Sequence, residues 1–250
     1  MKPEGGGPCL GAPFDPGGGP ARREPLQTRL PLHGRRRGRK LGPRRAALLA
    51  AALPDLALDP SKLLFGPERL FPGTVTEVWL EIGFGGGEHL AAEAAAHPGI
   101  GYIGCDIFLN GIAKALALAE TRQLRNLRLF NCDGRDLLAA LPPASLAGVY
   151  LLYPDPWPKR RHQNRRFLSA EMLARLAKVL RPRGELRFAT DADHLAAWTL
   201  AQVLKSSCFE WAPPSAGAWQ RPWDGWTGTR YETKALREGR KPVYLTFYRK

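Results

Sequence analysis

From residue 75 onward the apolar positions fall into two alternating patterns. Short runs rich in β-branched, leucine and aromatic residues, at 75–81, 101–106, 127–131, 148–152 and 185–189, read as strands. Between them, apolar residues recur at helical spacing over 89–96, 109–122, a short turn near 136–141, 166–180 and 193–205. A Trp- and Pro-rich loop at 212–228 follows, then a short helix near Lys234 and a last strand at 243–248. Strand, glycine turn, helix, strand in this order predicts an α/β fold with a mostly parallel central sheet and helices on both faces. No internal repeat interrupts it.

The first part of the chain lacks this pattern. Residues 1–28 are dominated by Gly and Pro and are expected to be a disordered tail. Residues 29–60 read as a basic arm with a short apolar helix through Leu53, and 61–250 as the folded domain. Seven basic residues lie between Arg35 and Arg45 with no acid among them, which suits a phosphate-binding arm better than a solvated charge run. Charge strengthens this picture, because 37 Lys and Arg against 23 Asp and Glu give a net +14, a field that attracts nucleic acid. The longest apolar stretches are far shorter than a membrane span, and the start has no secretory core, so a cytoplasmic protein is expected. Cys9, Cys105, Cys132 and Cys208 form no CxxC pair and are expected to be reduced thiols rather than a zinc or disulfide framework.

Candidate chemistry begins at the end of the first strand, where Glu81-Ile82-Gly83-Phe84-Gly85-Gly86-Gly87-Glu88 opens a helix. Open α/β sheets bind nucleotide-like ligands at this place, and glycine lets the backbone approach the ligand closely. A dinucleotide fingerprint counted from Gly83 and Gly85 fails, because Glu88 stands at its third glycine position. An acid ahead of alternate glycines instead suits S-adenosyl-L-methionine (AdoMet), whose ammonium and sulfonium are positive and which carries no pyrophosphate. Asp106 ends the second strand, where a carboxylate can accept ribose hydroxyls, and Asp133 follows the third, within reach of an adenine amine. Each acid alone reads equally well as a turn or cap residue; three at successive strand ends indicate a Rossmann-like class I AdoMet-dependent methyltransferase.

After the fourth strand, Tyr153-Pro154-Asp155-Pro156-Trp157-Pro158-Lys159 places three prolines in five residues. They fix the backbone and hold Asp155 and Lys159 in position, as a reacting centre requires. Arg160, Arg161, Arg165 and Arg166 lie directly beyond, where a polyanion carrying the target base has to pass. A rigid loop followed by an arginine-bearing helix face is the plainer alternative.

These segments, with Arg161-His162, Asn164-x-Arg166, Ala189-Thr190-Asp191 and Thr229-Arg230-Tyr231-Glu232, resemble the bacterial tRNA (guanine-N7-)-methyltransferase family from about His33 to Arg249. The resemblance implies methylation of the variable-loop guanosine, position 46 of tRNA, to 7-methylguanosine. It implies cofactor contacts at Glu81, Gly83, Gly85, Gly87, Asp106, Asp133 and Asp155, with Asp155 also the catalytic residue. It further implies substrate contacts at Lys159, Asp191, Thr229, Arg230, Tyr231 and Glu232. RNA contacts are expected from Arg35, Arg36, Arg37, Arg39, Lys40, Arg160, Arg161, Arg165 and Arg166. The partner is tRNA, the protein a monomer or homodimer, and no metal is expected, since His162 has no second ligand at metal spacing. Tyr153 where Phe is usual, Gly86 in the turn and the first 28 residues depart from the family pattern.

Guanine N7 carries a lone pair and no proton, so its methylation needs no general base; Asp155 is expected to act electrostatically. Asp191 and Glu232 can accept from guanine N1-H and its 2-amino group, although Thr229 to Glu232 also spells a helix-capping box. Trp211, Trp219, Trp223 and Trp226 offer stacking surfaces but fit a core role better. A methyltransferase for another RNA or for DNA, and a non-enzymatic RNA-binding protein, are the competing readings; the latter leaves Glu81, Asp106 and Asp133 without a use.

Overall fold

The computed structural model describes Gly38 and residues 40–250. Arg35, Arg36, Arg37 and Arg39 of the arm, and Cys9, lie outside the described residues. Seven strands form one sheet: β1 Glu77–Ile82, β2 Ile100–Cys105, β3 Leu127–Phe130, β4 Leu146–Leu152, β5 Leu180–Thr190, β6 Phe209–Glu210 and β7 Val243–Arg249. Their order is β3-β2-β1-β4-β5-β7-β6; β7 runs antiparallel to β5 and β6, and the remaining pairs are parallel. Helices α1 Pro43–Leu56, α2 Glu88–Ala96, α3 Leu109–Thr121, α4 Gly134–Ala140, α5 Ala170–Val179, α6 Asp193–Lys205 and α7 Arg230–Arg237 complete it.

All seven residues of β4 are buried, which is why its run is apolar without alternation. Across the sheet the strand period of two sends Leu80, Ile82, Val149 and Leu151 into one core, and Trp79, Tyr102, Tyr150 and Leu152 into the other. Helix α1 docks through Leu53 beside α3, and the residues after it cover the β3 edge, where Leu58 N–H donates to the Leu129 carbonyl at 2.8 Å. From β1 the chain winds outward to β2 and β3 and then crosses back to β4. The strand order thus reverses between β1 and β4, and a ligand site is expected outside their carboxyl ends.

Three expectations need correction. The helix expected over 166–180 starts at Ala170, because the Ser169 hydroxyl caps it by accepting from Met172 N–H at 3.3 Å. The fifth strand begins at Leu180, since Leu146 pairs with Leu180 ahead of a register shift that no local pattern encodes. Cys105 and Cys208 are free thiols, but Cys132 is disulfide-bonded; wide spacing in sequence does not bar a pairing in space.

Candidate active site

Gly83, Gly85 and Gly87 each adopt positive φ, at 76°, 60° and 76°, so the turn after β1 requires glycine there. The turn is braced from both neighbours. A Cβ on Gly111 of α3 would sit 1.9 Å from the Gly85 carbonyl oxygen, so that helix rests directly on the turn. Asp106 accepts from the Gly85 N–H through Oδ2 at 2.7 Å and from the Phe108 N–H through Oδ1 at 2.8 Å. Burial raises the Asp106 pKa above the usual 3.8 against the opposing pull of these two bonds. Asp133 caps α4 through Oδ1, accepting from Arg135 N–H at 3.0 Å, while its Oδ2 holds the Arg135 guanidinium. An adenine amine has to share that carboxylate with Arg135.

Glu81, at the end of β1, is 3% exposed and accepts from or pairs with His89 Nδ1 at 2.8 Å. With Gly83 and His89 it lines one side of a cavity whose other side is Thr229, Arg230 and Tyr231. The cavity measures about 10 Å³, room for one water. Arg230 and Tyr231 stand on the glycine turn: the position a Gly85 Cβ would take is 3.2 Å from Arg230 Nη2 and 3.4 Å from Tyr231 Cε2. The cofactor segment and the segment expected at the substrate are therefore brought together. A larger cleft of about 270 Å³ between α1 and α3 is mostly apolar and includes none of these acids, so its size does not make it the site.

The Pro-Asp-Pro-Trp loop leaves β4 through two residues with positive φ, Tyr153 at 49° and Trp157 at 40°. Asp155 is exposed at its crest, as are Lys159, Arg160 and Arg161 beside it, and Lys40 of the arm. Arg165 lies over the Trp157 ring at 4.9 Å. Arg166, expected at the RNA, is instead buried at 5% exposure. Its Nε donates to the Pro156 carbonyl and its Nη2 to the Trp157 carbonyl, both at 3.2 Å, and its guanidinium lies 5.0 Å from the Trp198 ring centre. A buried donor fork here finds its acceptors in the Pro156 and Trp157 carbonyls of the proline-rich loop.

Asp191, just beyond β5, accepts from Arg240 Nε at 2.6 Å. Thr229 and Glu232 form a full capping box at the start of α7, with Glu232 N–H donating to Thr229 Oγ1 at 3.0 Å. Glu232 is only 7% exposed; Trp226 Nε1 donates to its Oε2 at 2.7 Å and the Tyr244 hydroxyl to its Oε1. Trp223 and Trp226 pack among Tyr150 and Tyr244, and Trp211 and Trp219 lie against the other core, so none of the four is set out for stacking on bases. His89 belongs to no motif of the sequence, and its one local signal is the i,i+4 spacing from Glu93 on the buried face of α2.

Residues 76–245 match a family model described as "Putative methyltransferase". The chain is 51% identical over 217 residues to a tRNA (guanine-N(7)-)-methyltransferase of Nitrobacter winogradskyi, covering 86% of this chain and 84% of that one. It is 48% identical over 231 residues to the protein of that name from Mesorhizobium japonicum, covering 90% and 97%. The chain belongs to the tRNA (guanine-N(7)-)-methyltransferase family. The methyltransferase shares its fold with the 16S rRNA (adenine(1408)-N(1))-methyltransferase from Catenulisporales acidiphilia, at a TM-score of 0.50 and 16% identity over 77% of this chain and 93% of that one. Among its described residues no helix is long and apolar enough to cross a membrane.

Proposed function

We propose that this methyltransferase transfers the methyl group of AdoMet to N7 of the variable-loop guanosine of tRNA, position 46, in the cytoplasm. The observation that carries the reading is the meeting of the glycine turn with the Thr229–Tyr231 segment in one cavity, which sets a methyl donor against an acceptor base.

The residues present suit AdoMet. Among the described residues, nothing beyond Gly83 and its two chain neighbours stands within 4 Å of the position a Gly83 Cβ would take, and the buried carboxylate of Glu81 faces the same cavity. Glu81, Asp106 and Asp133 are the acids to hold the methionine, ribose and adenine parts, with Gly83, Gly85 and Gly87 allowing close approach. Bound there, AdoMet supplies an electrophilic methyl on a cationic sulfur. Asp155, on its proline-fixed loop, is the carboxylate to offset the positive charge that develops on the base, and no proton has to be removed. Exposed Lys159, Arg160, Arg161 and Lys40, with Arg165 half-buried beside them, offer phosphate contacts. Asp191, and Arg230 and Tyr231 with Thr229 and Glu232 behind them, frame the base.

The test incubates labelled AdoMet with an unmodified tRNA transcript and locates 7-methylguanosine by borohydride and aniline cleavage. Cleavage at the variable-loop guanosine, absent from a G-to-A transcript, is expected. Methyl incorporation elsewhere overturns the assigned base.

A further inference from the structure

His89 is 3% exposed, yet it is not a satisfied core histidine. Its Nδ1 meets Glu81 Oε2 at 2.8 Å, while Nε2 is buried with no hydrogen-bond partner among the described residues, 3.8 Å from Glu93 Oε1. Buried polar atoms are normally paired, so an orphan beside a site asks for a reason. The ring also faces the other half of the site. It lies 4.8 Å from the Trp226 ring, and Trp226 donates to the Glu232 carboxylate that caps the substrate segment. On its far side, Glu93 is anchored by the Tyr150 hydroxyl at 3.0 Å, and Tyr150 by Arg187 at 3.2 Å.

We propose that His89 is a positioning residue serving both halves of the site: its Nδ1 fixes which oxygen of Glu81 faces the cofactor, and its ring seats Trp226, which holds Glu232 beneath the substrate segment. The inference rests on the reading of Glu81 as a cofactor contact. With Oε2 committed to the imidazole, Oε1 is the oxygen left for a cationic ligand group. Losing the ring frees Trp226 to tilt and slackens the start of α7, where Arg230 and Tyr231 stand on the glycine turn. One side chain thereby ties the pose of the donor to the pose of the acceptor base.

The two functions separate by substitution. In His89→Asn an amide nitrogen keeps the Glu81 contact and the ring is lost; in His89→Phe the ring remains and the contact is lost. Calorimetry with AdoMet and with S-adenosylhomocysteine, neither of which needs turnover, is expected to show about tenfold or weaker binding for His89→Phe and an affinity within about threefold of wild type for His89→Asn. Steady-state kinetics should show the reverse split, with the KM for tRNA raised in His89→Asn and near wild type in His89→Phe. Trp226→Phe, which leaves His89 intact, should copy the tRNA-side effect alone, and it decides the relay if a His89 variant does not fold. Equal losses on both sides in both variants, tracking a lower melting temperature, would mean a merely structural histidine and overturn the proposal. So would unchanged behaviour in either. Glu81→Gln is the separate control: unaltered AdoMet affinity there refutes the reading of Glu81, whatever the His89 variants do.

Discussion

The carboxyl ends of β1–β3, and those of β4 and β5 with the amino end of β7, build their halves of the site differently. On the first side the acids are buried or half-buried and held by nearby chain: Asp106 by the Gly85 and Phe108 amides, Asp133 by the amide and guanidinium of Arg135. On the second side Asp155, Lys159 and Arg230 are exposed, and what fixes them lies behind the surface. Arg166 holds the Asp155 loop by its carbonyls, and Trp226 and Tyr244 hold Glu232 at the start of α7. A small cofactor can be gripped by acids already held in place before it arrives. A base on a large RNA has to be met by an open surface, so its rigidity is supplied from beneath.

Asp155→Asn should break the comparison most severely. Turnover is expected to fall by about 100-fold or more, since a fixed charge at the transition state is lost; near-normal turnover in a labelled-methyl assay would remove Asp155 from the chemistry. Arg166→Met tests the support beneath it. The part-buried Pro156 and Trp157 carbonyls lose the Arg166 donors that hold the loop. Lower kcat and a raised KM for tRNA are expected, with AdoMet affinity kept, because Arg166 does not reach the cofactor half. Loss confined to tRNA affinity and its salt slope would instead return Arg166 to the RNA surface.

Surface charge gives a smaller effect. Alanine at Arg160 or Arg161 should weaken tRNA binding and lower the slope of log K against log salt by about 1 per contact, measured by filter binding at several salt concentrations. The smallest effect is a pH trend in stability. His89 faces Glu81 from β1, Glu93 from its own helix, Tyr150 from β4 and Arg187 from β5. Burial pushes its pKa down, but the charge and hydrogen bond of Glu81 and the charge of Glu93 outweigh burial and the Arg187 charge, so it stands above 6.5. Its contribution to stability is therefore fully present below the unfolded value and fades as pH rises through the raised folded value. Urea unfolding across that window should show a shallower pH slope in His89→Asn than in wild type.

Legibility in sequence follows the same division. Strands β1–β4 announce themselves as short apolar runs and helices α2, α3 and α6 by period, and α6 has the bounds its pattern predicts. The glycine turn and the strand-end acids are equally visible, since each is a local signal. Hidden were the parts that exist only in three dimensions. The first residues of β5 form a strand because Leu180 meets Leu146, and β6 is two residues made into a strand by β7. Arg166 reads as one more arginine in a basic run until its fork is seen on the loop carbonyls, and Arg240 gives no sign that it holds Asp191.

The cavity of about 10 Å³ between the glycine turn and Tyr231 has a kinetic side. If AdoMet binds there as proposed, a ligand of its size requires Arg230 and Tyr231 to lift; Tyr231 is 44% exposed and stacks on Tyr153 with ring centres 6.4 Å apart. On that reading, exchange of spent for fresh cofactor runs on the opening rate of one short segment, and the residence time of the by-product becomes a property of two surface side chains rather than of the acids proposed to hold the ligand.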